Sequence, residues 1–534
     1  MKYLCYDIKG IQRLIFSVPR LKAIVGGSGL IDQFDRFASN QAGNIYAGGG
    51  KGAFHCPEGK QQADLEPILR TEAHKHGLDI QFGEDASIKT AAESADRLFP
   101  YIPDELTAFP CQVSGLLPAA AMNRTNDKIL HRMQLAKIDQ FGKDLLVDLG
   151  PRLPESFAEY EPVFFRNVKG ESVDDDTEDE KAMDQHHANA AASSIGRRNR
   201  WAVIAMDGND IGSQYSAYSQ LNLGEEDFIK WLKEMSSKLK YCTRDGFLAA
   251  IATVLNEWVT DGADLEKCSY DEAGVRKLVL PLRPLILGGD DVILLCHTKY
   301  AFQFVQTMSD EFTRQSEQAA KESPVKPLWP ASGGKLTISA GVLFTNVHLP
   351  LHSAIPYAEK LLKNAKRKFR RVPEADKNKQ EKMPTTAAID FEIVTDSLID
   401  NPADRRRREL IFKDEELVGT EIHLTRRPYA LSATKDNAQP TFAKLRTLAD
   451  TVKKLPKSIR AQLFNAMCQP WSARTTFLVS LAKRHPEFYH MLAEDHSNLG
   501  SAWISSNEGK RQETSVIDAL LLLEEENRAL RETV

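Results

Sequence analysis

The sequence is poor in cysteine and contains no long apolar run. Its seven cysteines are scattered, and no two of them have the spacing Cys-x-x-Cys. This absence argues against a cysteine-rich zinc site, and occasional free thiols fit a reducing, cytoplasmic compartment. No apolar run reaches the length of a membrane span, and the opening segment MKYLCYDIKG carries an aspartate that is untypical of a signal peptide. We therefore expect a cytoplasmic location and no membrane partner.

The sequence also lacks an excess of basic residues. The 534 residues carry a formal net charge of -5, which argues against a general coat for nucleic acids. The chain is long enough for about three domains. The acidic run SVDDDTEDEK at 172–181 predicts a linker or loop. We interpret His186 and His187, which follow this run, as exposed loop residues, with metal binding as the alternative.

The stretch LILGGDDVILLC at 285–296 places two carboxylates between apolar flanks. Each flank is typical of a short buried strand, and Gly288 and Gly289 allow the sharp turn of a hairpin. Asp290 and Asp291 then lie at the turn, where adjacent like charges raise each other's pKa. A Mg²⁺ ion, which prefers carboxylate oxygens, would relieve that repulsion. A hairpin tip with two solvated aspartates is the alternative for this stretch alone.

The elements around this hairpin predict an α+β sheet with helices on one face, in the split-βαβ style. The strand before the hairpin ends at Asp207. The predicted order is strand, helix, hairpin, helix, strand and helix, at 202–206, 225–258, 285–296, around 305–312, 335–344 and 357–371.

The N-terminal region repeats this pattern in a weaker form. A strand in KYLCYDIKGIQ (2–12) is followed by a helix around 19–40, and NIYAGGGKGAF (44–54) predicts strand, glycine turn and strand. Gly50 and Lys51 stand where the later copy has its two hairpin aspartates. The other matched positions are Asp7 with Asp207, Gly48 with Gly288 and Gly49 with Gly289. The match indicates a duplicated unit with one copy stripped of its carboxylates, and coincidence between two glycine-rich turns is the alternative.

Carboxylates from two predicted strands would meet if those strands are neighbours in one sheet. Asp207, Asp290 and Asp291 would then have the layout that two-metal phosphoryl transfer needs, in which one cation activates a hydroxyl and the other neutralises a triphosphate. We interpret these three aspartates as the catalytic residues and the metal ligands.

Further polar residues and glycines nearby could contact the nucleotide. Gly208 and Asn209 could let backbone amides approach phosphates. Lys366 could reach a phosphate as a point charge, or be a solvated helix lysine. Ser339 in TISAG could contact a nucleotide, or be a strand serine only.

Four motifs together resemble a palm-type polymerase/cyclase domain: GGDD (288–291), DGND (207–210), SAG (339–341) and AEKLLKNAK (358–366). The sequence is similar to the large subunit of type III CRISPR effector complexes, whose palm carries GGDD. DIKGIQRLIF and PRLKAIVGGSGLI, near the start of the chain, are similar to the first, degenerate palm of that family. The resemblance covers about 1–55 and 200–371. More distantly, the second palm resembles GGDEF diguanylate cyclases.

The resemblance implies two ferredoxin-like palm domains, the first degenerate and the second with GGDD. Periodic apolar faces predict a helical C-terminal domain after them. The predicted domains are a first palm at 1–170, an acidic linker or loop at 171–199, a GGDD palm at 200–385 and the helical domain at 386–534. Family members usually begin with an HD nuclease domain, but the dipeptide His-Asp occurs nowhere in this sequence. We therefore expect a compact or stand-alone relative without that nuclease.

The resemblance also implies an activity, the conversion of ATP into cyclic oligoadenylates with two Mg²⁺ or Mn²⁺ ions in antiviral defence. It implies partners, namely guide or target RNA and other effector subunits. Glycines of the first palm and Lys51 would line the acceptor side of the site. The residues expected to contact nucleotides are Gly48, Gly49, Gly50, Lys51, Gly208, Asn209, Gly288, Gly289, Ser339 and Lys366.

Two other functions remain open from the sequence. A cyclic dinucleotide synthase of the diguanylate cyclase type would use the same metals and a different base. A catalytically silent scaffold could bind RNA through basic clusters at 366–371 and 405–408, which solvated helix faces would explain equally well. Carboxylates at all three positions argue against a silent palm, because clustered acids are costly to keep together.

Overall fold

The computed structural model describes residues 2–8, 21–56, 60–76, 78–96, 121–122, 129–130, 140–165, 178–195, 200–221, 224–369, 385–395, 401–432, 439–486, 504–506 and 511–530. Its strands are β1 (Lys2–Ile8), β2 (Asn44–Gly48), β3 (Lys51–Cys56), β4 (Ile80–Asp85), β5 (Ala121–Met122), β6 (Ile129–Leu130), β7 (Glu161–Phe164), β8 (Arg200–Gly208), β9 (Ser269–Glu272), β10 (Val275–Leu280), β11 (Leu282–Gly288), β12 (Asp291–Cys296), β13 (Ile338–Asn346), β14 (Ala388–Val394), β15 (Ile411–Lys413), β16 (Glu421–His423), β17 (Tyr429–Ala430), β18 (Ile504–Ser506) and β19 (Arg511–Glu513).

The α-helices in these ranges are α1 (Leu21–Ser39), α2 (Lys60–Lys75), α3 (Ile88–Asp96), α4 (Gln140–Leu149), α5 (Glu178–Ile195), α6 (Ile211–Ser219), α7 (Glu225–Thr260), α8 (Ala301–Glu322), α9 (Leu351–Phe369), α10 (Pro402–Glu409), α11 (Phe442–Lys454), α12 (Lys457–Met467), α13 (Trp471–Arg484) and α14 (Val516–Leu530). Within the described part of the chain, no helix is both long and apolar enough to cross a membrane.

Two sheets of the same construction form the centre of the molecule. The first has the strand order β2–β3–β1–β4, and the second begins β11–β12–β8–β13, with each of these neighbouring pairs antiparallel. We call β1–β4 with α1–α3 the first unit, and β8 with β11–β13 and α6–α9 the second unit. The strands predicted for 2–8 and 44–56 and the predicted hairpin at 285–296 are confirmed, whereas residues 9–20 lie outside the described residues.

The hairpins of the two units have matching registers. In the first unit Gly48 pairs with Lys51, and in the second Gly288 pairs with Asp291. Both hairpins carry a register shift at the same place, between Asn44 and Tyr46 and between Pro284 and Ile286. Coincidence between two glycine-rich turns does not account for a shared strand order and a shared irregularity, so the predicted duplication is confirmed for the described strands.

Helices cover both faces of the second sheet, not one face as predicted. Alternate residues of β8 point to opposite sides. Ala202, Ile204 and Met206 belong to the core that contains residues of α7 and α8, whereas Val203 and Ala205 belong to the core that contains residues of α9. The reason lies in β8 itself, which is apolar and buried from residue 201 to 206 and so needs a cover on each side.

The second sheet continues beyond the predicted domain boundary at 385. Strand β14 runs parallel to β13, and β17 pairs with β14. The C-terminal part also differs from the helical prediction, because its helices α11–α14 accompany a small sheet with the order β15–β16–β19–β18. Strands of three residues are too short to give a periodic signal.

The predicted linker at 171–199 contains a helix, α5, where the prediction gave a loop. Its alanines favour a helix. Ala190, Ala191 and Ile195 are buried in the core that also contains residues of α9. His187 is also buried, with its ring against Tyr270, so its prediction as an exposed loop residue is wrong. The acidic residues at 172–177 lie outside the described residues.

The two units contact each other through reciprocal elements. Helix α1 of the first unit contacts β11 of the second, and helix α7 of the second contacts β2 of the first. The other described strands before β11 form a three-stranded sheet of order β7–β10–β9 and a two-stranded pair, β5–β6. The first strands of the two hairpins therefore both lie at the boundary between the units.

Candidate acidic site of the second unit

Asp207 and the hairpin aspartates meet at one end of the second sheet. Val292 of β12 pairs with Met206 of β8, so the register continued by one residue places Asp291 opposite Asp207. Asp290 lies at the turn, and the side chains of Asp207 and Asp290 interact directly. The predicted convergence of the three carboxylates is therefore observed.

The acidity of both hairpin aspartates is weakened by this arrangement. Burial, followed by the charge of Asp207, raises the pKa of Asp290 well above its ordinary value. Asp291 is exposed to solvent as a residue, but protein atoms surround its carboxylate. This desolvation, followed by the charge of Asp207, raises the pKa of Asp291 to about 7. Two carboxylates that resist ionisation side by side form a donor set that a cation would stabilise.

These pKa values predict a pH-dependent stability. Below about pH 4 aspartates are protonated in both the folded and the unfolded chain. Between about pH 4 and about pH 7 the folded chain keeps protons that the unfolded chain releases, so the free energy of unfolding falls as the pH rises. We expect Asp291→Asn to remove this fall in the free energy of unfolding. In cation-free buffer, its thermal midpoint should exceed that of the wild type by more above pH 7 than near pH 5.

The exposed Asp271 provides the matched control, because Asp271→Asn removes the same charge from a surface strand. An advantage of Asp291→Asn that is equal at both pH values would contradict the raised pKa of Asp291.

Lys366 of α9 reaches the acidic site and pairs with Asp207, so it is not a solvated helix lysine, and its phosphate contact stays a prediction. Its ammonium donates to the carboxylate of Asp207 and to the carbonyl of Gly208, the latter at 2.7 Å. This lysine lowers the pKa values of Asp290 and Asp291, but less than burial and Asp207 raise them. Lys366 is thus a structural counter-ion of the site in this conformation.

Two glycines fit the site for different reasons. A Cβ atom at Gly208 would lie 3.0 Å from the Cβ and Oδ2 atoms of Asp290, so a side chain there would displace that carboxylate. Gly289 has a φ of 61°, a left-handed conformation that favours glycine in hairpin turns. Gly288 is the last residue of β11, and a Cβ atom there would have no neighbouring atom within 4 Å.

Asn209 and Ser339 are buried and bonded to each other. The Asn209 amide donates to the hydroxyls of Ser339 at 3.0 Å and Thr337 at 2.8 Å. The Ser339 hydroxyl also accepts a hydrogen bond from the backbone N–H of Ala388. Ser339 has no accessible surface, so its side chain fixes the loop after β8, and a direct nucleotide contact is not available to it in this conformation.

Asp210 closes the same loop and was not singled out from the sequence. It has a φ of 60°, and its carboxylate accepts hydrogen bonds from the backbone and hydroxyl of Thr385. Tyr215 of α6 was also missed. Desolvation by the surrounding protein atoms, followed by the charge of Asp290, raises the pKa of Tyr215 to about 12. Neither residue carries a local sequence signal, because each depends on a partner distant in the chain.

The first unit has a lysine at the corresponding place. The Lys51 ammonium lies 3.7 Å from Asp7 and 3.4 Å from Asp96. Its glycine turn is held by the buried Asp35, which accepts hydrogen bonds from the Gly50 N–H and the Tyr6 hydroxyl, both at 3.0 Å. Gly49 and Gly50 both have positive φ, so the turn needs them for its shape.

The basic clusters proposed to contact RNA are mostly engaged within the protein. Lys368 donates to the carbonyls of Arg426 and Pro428. Arg406 lies in a buried ion network with Asp390 and Glu392. Residues 370–371 lie outside the described residues. For Arg406, the alternative of a solvated helix face is also wrong.

The acidic site does not form a ready-made metal cage. In the described ranges, no group of three or more His, Cys, Asp or Glu side chains is arranged to hold a metal ion. Instead, the Lys366 ammonium lies on Asp207. The donor types, the close approach and the raised pKa values nevertheless fit a hard cation that would share Asp207 with this lysine or displace it.

The fold and the site together define a protein with two units of the same strand order, one with an acidic hairpin and one with a lysine-bearing hairpin. Residues 200–372 match the model of the Cas10/Cmr2 second palm domain. The resemblance predicted from the sequence is therefore confirmed for this part of the chain, which is similar to the second palm domain of Cas10/Cmr2.

Solved structures with weaker similarity include the Csm1-Csm4 cassette in complex with cA4. That match has 12% identity and a TM-score of 0.43, and it covers 100% of this chain and 70% of that chain. The same cassette with AMPPNP has 13% identity, a TM-score of 0.44 and coverage of 98% and 69%. Csm1 of T. onnurineus has 12% identity, a TM-score of 0.41 and coverage of 98% and 69%. No match was found among curated proteins.

Proposed function

We propose that this chain is a metal-dependent nucleotidyltransferase that converts ATP into cyclic oligoadenylates in CRISPR-type antiviral defence. The observation that carries this proposal is the meeting of Asp207, Asp290 and Asp291 at one sheet end, within the residues that match the Cas10/Cmr2 second palm domain. The common strand order of the two units supports a ferredoxin-like palm in each. RNA and other effector subunits remain expected partners from the family resemblance.

In the proposed reaction, the 3′-hydroxyl of one ATP attacks the α-phosphate of another. A new P–O bond forms, the bond between the α- and β-phosphates breaks, and pyrophosphate leaves. Asp207, Asp290 and Asp291 would hold the divalent cations, Mg²⁺ or Mn²⁺. When bound, these ions supply positive charge to the phosphates and lower the pKa of the attacking hydroxyl.

The neighbouring residues position this acidic site. Lys366 donates to Asp207 and to the Gly208 carbonyl, and it could turn to a phosphate once a cation neutralises Asp207. The buried bonds of Asn209 and Ser339 hold the loop after β8 in place. The nucleotide contacts of Gly48, Gly49, Gly50, Lys51, Gly288 and Gly289 remain predictions.

The direct test is incubation of the purified chain with ATP or GTP and Mg²⁺ or Mn²⁺, with products identified by mass spectrometry. We expect cyclic or linear oligoadenylate from ATP. A product from GTP alone would replace this proposal with the diguanylate type of synthase. Absence of product even after addition of copurifying RNA and partner subunits would favour a scaffold function.

A further inference from the structure

Lys51 of the first unit and Asp291 of the second occupy the same place in the fold. Lys51 pairs with Gly48 across its hairpin, as Asp291 pairs with Gly288. Lys51 also lies opposite Asp7 in the pairing of β3 with β1. The continued register of β12 and β8 gives Asp291 the same position opposite Asp207.

A second pair of glycines shows that the whole register is shared. Gly83 pairs with Cys5, which lies two residues before Asp7. Gly341 pairs with Ala205, which lies two residues before Asp207. A Cβ atom at either glycine would lie 2.1 Å from a helix carbonyl oxygen and 2.4 Å from the backbone nitrogen four residues later. The helix after the fourth strand therefore packs equally closely in both units, so the charges that each element brings to the two strand ends can be compared.

The signs of those charges are exchanged between the units. In the second unit the hairpin supplies carboxylates, and the helix after the fourth strand supplies Lys366. In the first unit the hairpin supplies Lys51, and the corresponding helix supplies Asp96, whose carboxylate lies 3.4 Å from the lysine ammonium. The aspartate at the end of the central strand is the same in both.

We infer that Lys51 is a built-in cation of the first unit. Its ammonium supplies Asp7 and Asp96 with the positive charge that the second unit would take from a divalent ion. An ammonium 3.7 Å from Asp7 excludes a metal ion from the same place by both volume and charge. The Lys51 side chain therefore prevents the first unit from binding a divalent cation, and replacement of Lys51 by a carboxylate residue allows one to bind.

The experiment uses the full chain with Asp290→Asn and Asp291→Asn as background, so that the second unit is disabled. Bound Mn²⁺ is counted from the loss of the free-ion signal in electron paramagnetic resonance. We expect Lys51→Asp to add one bound Mn²⁺ per chain, because three carboxylates would then surround the position of the ammonium. The matched control is Lys230→Asp, which makes the same charge change beside Asp227 on an exposed helix turn and should add none.

A folded Lys51→Asp variant, checked by circular dichroism, that binds no additional ion would overturn the inference. If that variant does not fold, Asp7→Asn in the wild-type chain gives a second test. The number of bound ions should stay unchanged, because Asp7 is already neutralised by Lys51, and a lower number would also overturn the inference. Neither test uses ATP turnover, so failure of the proposed enzymatic activity is a separate result.

Discussion

Replacement of both Asp290 and Asp291 by alanine is expected to lower the formation of oligoadenylate from ATP by roughly 10³-fold or more. The variant removes two of the three carboxylates that meet at the end of β8 and β12. Charge stabilisation by bound metal ions contributes several kcal/mol to a transition state, and about 1.4 kcal/mol corresponds to a tenfold change in rate. The measurement is the initial rate of product formation at saturating ATP with Mg²⁺.

Two features make this prediction specific. The variant should fold normally and be more stable than the wild type above pH 7 without metal, since the removed carboxylates are crowded and hard to ionise. The control Asp271→Ala removes an exposed aspartate of β9 and should leave the rate unchanged. A double variant that keeps more than about a tenth of the wild-type rate would exclude these aspartates as the main metal ligands.

Replacement of Asp518 by alanine is expected to lower the free energy of unfolding by about 3–5 kcal/mol, the usual cost of removing one partner of a buried ion pair. Asp518 of α14 is fully buried and lies 2.9 Å from the guanidinium of Arg427. Its carboxylate also accepts hydrogen bonds from the hydroxyls of Tyr429 at 2.6 Å and Thr425 at 3.0 Å. The alanine variant would leave the Arg427 charge buried with less compensation.

The lower free energy of unfolding should reflect weaker packing of α14 against the second sheet. Arg427 also pairs with Glu392 of β14, and Glu392 pairs with Arg406 of α10. Urea unfolding followed by tryptophan fluorescence would measure the change, with the exposed Asp450→Ala of α11 as the control. Unchanged unfolding of the Asp518→Ala variant would show that the network contributes little to stability.

The acidic site illustrates how much could be predicted from local patterns. The apolar flanks around Gly288 and Gly289 identify a hairpin, and the strand ending at Asp207 predicts a neighbour for it. Because buried strands pair with each other, three carboxylates at their ends were expected together, and they are. The same reasoning gave the correspondence between Lys51 and Asp291, which the registers confirm.

Local patterns failed where a residue's role depends on a partner far along the chain. Four consecutive arginines on a short helix resemble a solvated face, but Arg406 is buried because Asp390 and Glu392 of β14 neutralise it. Ser339 resembled a candidate nucleotide contact, but Asn209, 130 residues earlier, occupies its hydroxyl. Nothing in either local pattern reports the distant group.

The sequence by itself determined the buried strands, the glycine turns and the duplication, because hydrophobic periodicity and turn chemistry act over a few neighbouring residues. Only the tertiary structure decided which opposite charges pair. It brought Lys366 to Asp207 and Lys51 between Asp7 and Asp96, contacts between residues separated by 159 positions in the first case. The physical reason is that the energy of a charge depends on its burial and on its nearest opposite charge, and both are properties of the folded chain.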